Sequence, residues 1–121
     1  MQYVSLTDAI QVIENLGFYV KDLGLLDSAL ARPSASMFGV DAYESLEGKA
    51  AALHQSLVKN HSLIDGNKRS SWLLFNLFLE LNEHELIMTT DEGMDFTLGV
   101  AESRYDIEQA AAIIKSHLIS L

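Results

Sequence analysis

The chain has 121 residues, 49% of them hydrophobic, which is enough for one domain to bury a continuous core without cross-links. It contains no cysteine, so a disulfide framework, a Cys-based zinc site and a thiol nucleophile are all excluded. Seventeen acidic against eight basic side chains give a net charge of −9, which repels a nucleic-acid backbone and sets direct DNA or RNA binding aside.

The N-terminus, Met1-Gln2-Tyr3-Val4-Ser5, has no basic stretch ahead of an apolar run. No apolar run reaches the roughly 18 residues that a helical span needs, so the expectation is a cytoplasmic protein with no membrane segment. The first helix is expected after Ser5, which can cap it with Asp8 reciprocating. Leu6, Ile10, Ile13 and Leu16 form its apolar stripe, which ends at Gly17. A second, short helix over 25–31 is expected to stop at Pro33, because the residue before a proline is pushed out of the helical region. Residues 34–43 have no helical period and contain Gly39, with β-prone pieces at Met37-Phe38 and Val40. A loop or small hairpin is predicted there, as the only non-helical stretch of any length.

A third helix, over 46–60, carries Ala50, Leu53 and Leu57 on one side and delivers His61 at its end. The fourth, over 67–81, is apolar nearly all round from Trp72 to Leu79, so neighbours must cover it and it should be the central helix. Helical spacing assigns Trp72, Phe75 and Phe78 to the core. A fifth helix over 91–102 begins with Asp91, Glu92 and Asp95. A sixth is begun by Asp106 with Gln109 at the capping-box position, and turns Ile113, Ile114 and Leu118 inward. His54, His84 and His117 have no metal-site spacing and are read as structural or exposed. There is no repeat or linker, so the reading is one all-α domain over 1–121: a bundle of about six helices with one short hairpin.

Chemistry concentrates between Lys59 and Arg69. Lys59, Lys68, Arg69 and His61 form a basic island in an acidic chain. Lys68 and Arg69 stand in the first turn of the fourth helix, where the helix dipole already supplies about half a positive charge and local rules favour Asp or Glu. Positive side chains, unpaired helical N–H groups and Gly66 converge there, and a phosphate is the natural occupant. Gly66 lets the backbone approach it, and Asn67, Lys68 and Arg69 add donors; no Walker motif is present. Asp65 can supply the one carboxylate that a phosphate-bridging Mg²⁺ needs. His61 can take the proton of a substrate hydroxyl as general base. Alone, Asp65-Gly66-Asn67 is a turn with a helix cap, but a turn explains neither the two cations nor the histidine.

The stretch His61-Ser62-Leu63-Ile64-Asp65-Gly66-Asn67-Lys68-Arg69 resembles the H-x-F-x-D-[GA]-N-K-R signature of Doc, the "death on curing" toxin branch of the Fic superfamily. The likeness extends upstream through Gly24-Leu25-Leu26-Asp27-Ser28-Ala29-Leu30-Ala31-Arg32-Pro33, then Phe38-Gly39 and Tyr43, and downstream to Leu79-Glu80-Leu81-Asn82. It implies a mostly helical Fic fold with a β-hairpin flap near 36–43, and transfer of phosphate from ATP to a protein hydroxyl. For this branch the acceptor is a threonine of elongation factor Tu, and the transfer arrests translation. By the same resemblance His61 is the catalytic base and Asp65 holds Mg²⁺. Gly66, Asn67, Lys68 and Arg69 bind the nucleotide phosphates, and a Phd-like antitoxin is the partner.

Leu63 stands where the signature has Phe, a smaller apolar anchor. Fic adenylyl transferases, the alternative enzyme reading, have Gly where this chain has Lys68 and a second Arg where it has Trp72, which favours the kinase branch. A third reading is a catalytically weak relative that only binds an antitoxin. An inhibitory Ser/Thr four residues before Glu-Gly is missed by one position at Thr89 and Glu92-Gly93, so self-inhibition is not expected.

Overall fold

The structure, a computed structural model, describes residues 1–121. Helix α1 (Leu6–Asn15) starts where Ser5 Oγ accepts the Asp8 N–H at 3.1 Å, without the reciprocal bond from Asp8, and buries Ala9 and Ile13. It ends at Leu16, followed by Gly17 at φ +87°.

Helix α2 (Leu23–Ala31) begins two residues earlier than the sequence suggests, because Asp22 Oδ1 caps it by accepting the Leu25 N–H at 3.0 Å. It ends at Ala31, as expected, but Pro33 does not push the residue before it out of the helical region. Arg32 keeps helical angles (φ −58°, ψ −40°), and the chain tightens into a 3₁₀ turn, Arg32–Ser34, with Pro33 in its first positions. The Arg32 guanidinium fixes that turn by donating to Gln55 Oε1 at 2.7 Å, Ser56 Oγ at 2.9 Å and Tyr43 Oη at 3.1 Å.

The expected hairpin is present. Strand β1 (Ser36–Met37) pairs antiparallel with β2 (Val40–Asp41), turning through Phe38 (φ +53°) and Gly39 (φ +78°), the two positive φ angles that a tight hairpin turn requires. Phe38 stands 98% exposed at the tip. The hairpin is tied to the body by Lys49, a buried cation that donates to Pro33 O at 3.0 Å and pairs with Asp41 Oδ2 at 3.2 Å.

Helix α3 (Leu46–Lys59) is capped by Ser45 and packs against α2, the 3₁₀ turn, and helices α4 (Asn67–Leu81), α5 (Thr90–Ala101) and α6 (Ile107–Ser116). It buries more of its residues than α4 and is at least as central. The apolar run in α4 drew attention there, whereas α3 achieves burial through Ala50-Ala51-Ala52, whose small side chains let neighbouring backbones close in. Phe75 and Phe78 are fully buried, while Trp72 is only half-buried, so it is not the core residue that its spacing suggests.

Both later helices start at capping boxes, Thr89 with Glu92 and Asp106 with Gln109. A second strand pair corrects the expectation of a single non-helical stretch. Strand β3 (His84–Leu86) pairs antiparallel with β4 (Leu118–Ser120), so Leu118 lies on a strand and not on the last helix. No helix is long and apolar enough to cross a membrane.

Candidate active site

The segment between α3 and α4 is built as a stitched loop. The helix ends at Asn60, and His61 reverses the chain with φ +50°, a left-handed conformation that costs a residue bearing a Cβ about 1–2 kcal/mol. Its side chain is exposed. The next two residues turn inward. Ser62 O accepts the N–H groups of Lys21 at 2.8 Å and Asp22 at 3.0 Å, and Leu63, 2% exposed, forms an antiparallel bridge with Val20. Leu63 belongs to the main core cluster, so the loop is anchored from below by packing and from the side by backbone bonds. Ile64 and Asp65 turn outward again.

Two residues close the loop. Asn67 grips the backbone of Leu63 at both ends: its Oδ1 accepts the Leu63 N–H and its Nδ2 donates to Leu63 O, each at 3.1 Å. The amide expected to reach an anion is thus engaged in holding the loop, and Asn67 offers outward only its helical N–H. Gly66 sits at φ +79°, and a Cβ there would lie 2.4 Å from the Phe18 ring. The close approach that requires glycine is therefore made by the protein's own Phe18. Asp65 Oδ1 accepts the Gly66 N–H at 2.8 Å, leaving its second oxygen to face solvent.

Helix α4 opens with Gly66 as N-cap and has no side-chain cap, so the N–H groups of its first turn are unpaired within the helix. Lys68 and Arg69 are exposed and belong to none of the ion pairs of the molecule. The third cation of the basic island, Lys59, is turned the other way and donates to Ser103 Oγ. His61, Asp65, the open helix end, Lys68 and Arg69 thus remain on one short segment. No three His, Asp or Glu side chains converge anywhere, and Asp65 carries the one carboxylate of the His61–Arg69 segment.

Beside this helix end a cleft of about 690 Å³ opens between α4 and α5, lined by Lys68, Arg69, Trp72, Met88, Met94 and Leu98 among others. Sequence reasoning missed it, because the i, i+3 spacing of Trp72 to Phe75 is what a core stripe shows. It also missed Phe18 and Val20, which support the loop but lie more than forty positions upstream, with no local pattern pointing to it.

Thr89 and Glu92, which fall short of an inhibitory motif, are committed to capping α5. The Thr89 N–H and then the Thr89 hydroxyl hold the Glu92 carboxyl below the usual carboxylate range, helped by His117 at 3.3 Å.

The Fic/DOC family model matches residues 3–79, from the start of α1 through the loop and nearly all of α4. The chain belongs to the Fic/DOC family. Within that family it is similar to a Toxin Doc of Mycolicibacterium smegmatis, 47% identical over 95 residues that make up 77% of this chain and 73% of the relative. The Fic/DOC match covers the whole His61–Arg69 segment, whereas α5 and α6, and with them one wall of the cleft, lie beyond it.

Proposed function

We propose that this Fic/DOC protein is the toxin of a toxin–antitoxin pair and acts as a protein Ser/Thr phosphotransferase, moving the γ-phosphate of ATP to a hydroxyl of a translation factor. Elongation factor Tu is the target suggested by resemblance to the Doc branch, and a Phd-like antitoxin is the partner suggested in the same way. The observation that carries the reading is the His61–Arg69 segment. An exposed histidine with strained backbone opens a loop that a double amide clamp fixes at Leu63, directly before an uncapped helix end with two unpaired cations.

In this reading the phosphate tail of ATP lies on the first-turn N–H groups of α4, with Lys68 and Arg69 neutralising its charge. The imidazole of His61 accepts the hydroxyl proton as the acceptor oxygen attacks the γ-phosphorus and the bond to the β-phosphate oxygen breaks, leaving ADP. Asp65 has one carboxylate oxygen fixed by the Gly66 N–H and one free, and it is the residue that would hold Mg²⁺. When bound, Mg²⁺ would supply charge neutralisation for the phosphate tail. Lys68 supports phosphate transfer over the adenylyl transfer of other Fic proteins, since a long cation projects where they have glycine.

Expression in a bacterial host is expected to arrest growth, and His61→Ala or Asp65→Ala, both exposed positions, to abolish the arrest at equal protein level. Arrest that persists in both variants would overturn the catalytic reading.

A further inference from the structure

We propose that Phe18 is a positioning residue of the site: its ring, seated on Gly66, sets the direction of the first-turn N–H groups of α4 and of the Asp65 carboxylate. This deepens the phosphotransfer reading and rests on it. A Cβ at Gly66 would lie 2.4 Å from Cδ2 and Cε2 of Phe18 and 2.6 Å from Cγ, and these are the three nearest atoms. The ring therefore closes the side of Gly66 on which a side chain would stand. Gly66 is the joint of the site. Its φ of +79° turns the chain into the helix, its N–H holds Asp65 Oδ1 at 2.8 Å, and its carbonyl accepts the Ser70 N–H at 2.8 Å, a bond of the first turn of α4. A shift of this one residue moves the carboxylate and the N–H groups together.

Phe18 is itself held from behind. Gly17, at φ +87°, turns the chain out of α1; the Phe18 N–H donates to Ile13 O at 3.1 Å, and its half-buried side chain packs against the main core. Two residues on, Val20 bridges Leu63, and Ser62 O accepts the N–H groups of Lys21 and Asp22. The segment 18–22 thus grips the loop twice, by backbone at Ser62 and Leu63 and by the ring at Gly66. Between these grips Ile64 and Asp65 are exposed and pack on nothing inside. The Asn67 clamp also acts at Leu63, so the ring of Phe18 is what passes the rigidity of the core to the joint itself.

Affinity for inorganic tripolyphosphate without metal, measured by calorimetry well below each melting midpoint, reads the N–H groups apart from any turnover. Phe18→Ala should weaken tripolyphosphate and Mg-ATP about tenfold and lower kcat, while the KM for the acceptor protein stays unchanged. Phe18→Leu should restore part of the loss. Gly66→Ala, which forces the ring away from the joint, should weaken both ligands too, and adding Phe18→Ala to it should cost less than the two changes made singly. Leu86→Ala is the control, a truncation of a buried side chain on β3, beyond the far end of an α4 that is about 22 Å long. It should lower the melting midpoint and leave tripolyphosphate affinity as in wild type.

Wild-type tripolyphosphate affinity and kcat in Phe18→Ala would overturn the positioning role and leave the phosphotransfer reading standing. An equal loss of affinity in Leu86→Ala would overturn it too, by showing that any weakening of the core loosens the site. Failure of wild type to bind either ligand would overturn the phosphotransfer reading beneath it.

Discussion

His61 combines two properties that rarely serve stability together: it is exposed, and its backbone is left-handed at φ +50° without being glycine. Nothing in the core requires an imidazole at that point, so on the proposed phosphotransfer reading the strain is retained for what the side chain does. His61→Gly should therefore leave the thermal midpoint unchanged or slightly raised while ending phosphotransfer, a split visible by comparing a melting curve with an activity assay. A drop of several degrees would mean that the side chain is held by the fold and is not free for substrate.

At the same scale the sequence was legible in part. The motif named the residues, and His61, Asp65, Lys68 and Arg69 are all exposed on one segment. Asn67 and Gly66 carry jobs that the motif does not spell out, because their partners are the backbone of Leu63 and the ring of Phe18. Contacts of that kind are made by the folded chain and leave no periodic mark.

The loop and α4 act as one element, and Leu63 joins them to the core. Where the Doc signature has Phe, Leu63 fills its seat beside Ile13, Leu26, Leu57 and Leu74, with residual space of only about 10 Å³. Leu63→Phe is thus an overpacking change here, expected to cost about 1–3 kcal/mol in urea denaturation. A neutral or stabilising result would show that the site relaxes more easily than its packing implies.

The helix boundaries were largely readable from caps and periods, and α4 runs over the residues expected of it, Asn67–Leu81. The end of α2 at Ala31 was read correctly, but the reason given for it fails at Arg32, which three side-chain acceptors hold in a helical conformation that a following proline ordinarily disfavours. Strands β3 and β4 were invisible for a different reason: each has three residues, too few for alternation, and their pairing spans the last two helices.

For the molecule as a whole, the most unusual core member is His54. It is fully buried, stacked on Phe96 at 5.3 Å, and bonded through Nε2 to Thr97 Oγ1 at 3.1 Å, while Nδ1 has no partner. Burial lowers its pKa from 6.5 to about 3, so the folded core accepts only the neutral ring. Between those two values the unfolded chain binds the extra proton, and stability falls as pH falls. The loss should reach about 2 kcal/mol at pH 5 relative to neutral solution, from 1.36 kcal/mol per pKa unit. His54→Phe, which keeps an aromatic ring among Phe75, Phe96 and Trp72, should flatten that dependence; an equally steep loss in the variant would remove His54 as its source.

Global charge told less. It argued against nucleic acid, but only the fold shows that Lys49 is buried under the hairpin and that Lys59 faces Ser103, leaving Lys68 and Arg69 as the cations of the helix end. The cleft between α4 and α5 is likewise a property of the assembled molecule, since no single element contains it.

On the proposed reading this helix end and His61 transfer the terminal phosphate of ATP to a protein hydroxyl. Incubation with elongation factor Tu and ATP labelled at either the γ- or the α-phosphate, followed by intact-protein mass and site mapping, tests it directly. Phosphate transfer gives label from the γ-position alone, one phosphate added to a Ser or Thr, and none with His61→Ala. Label from the α-position, with the mass of a nucleotide added, would contradict it.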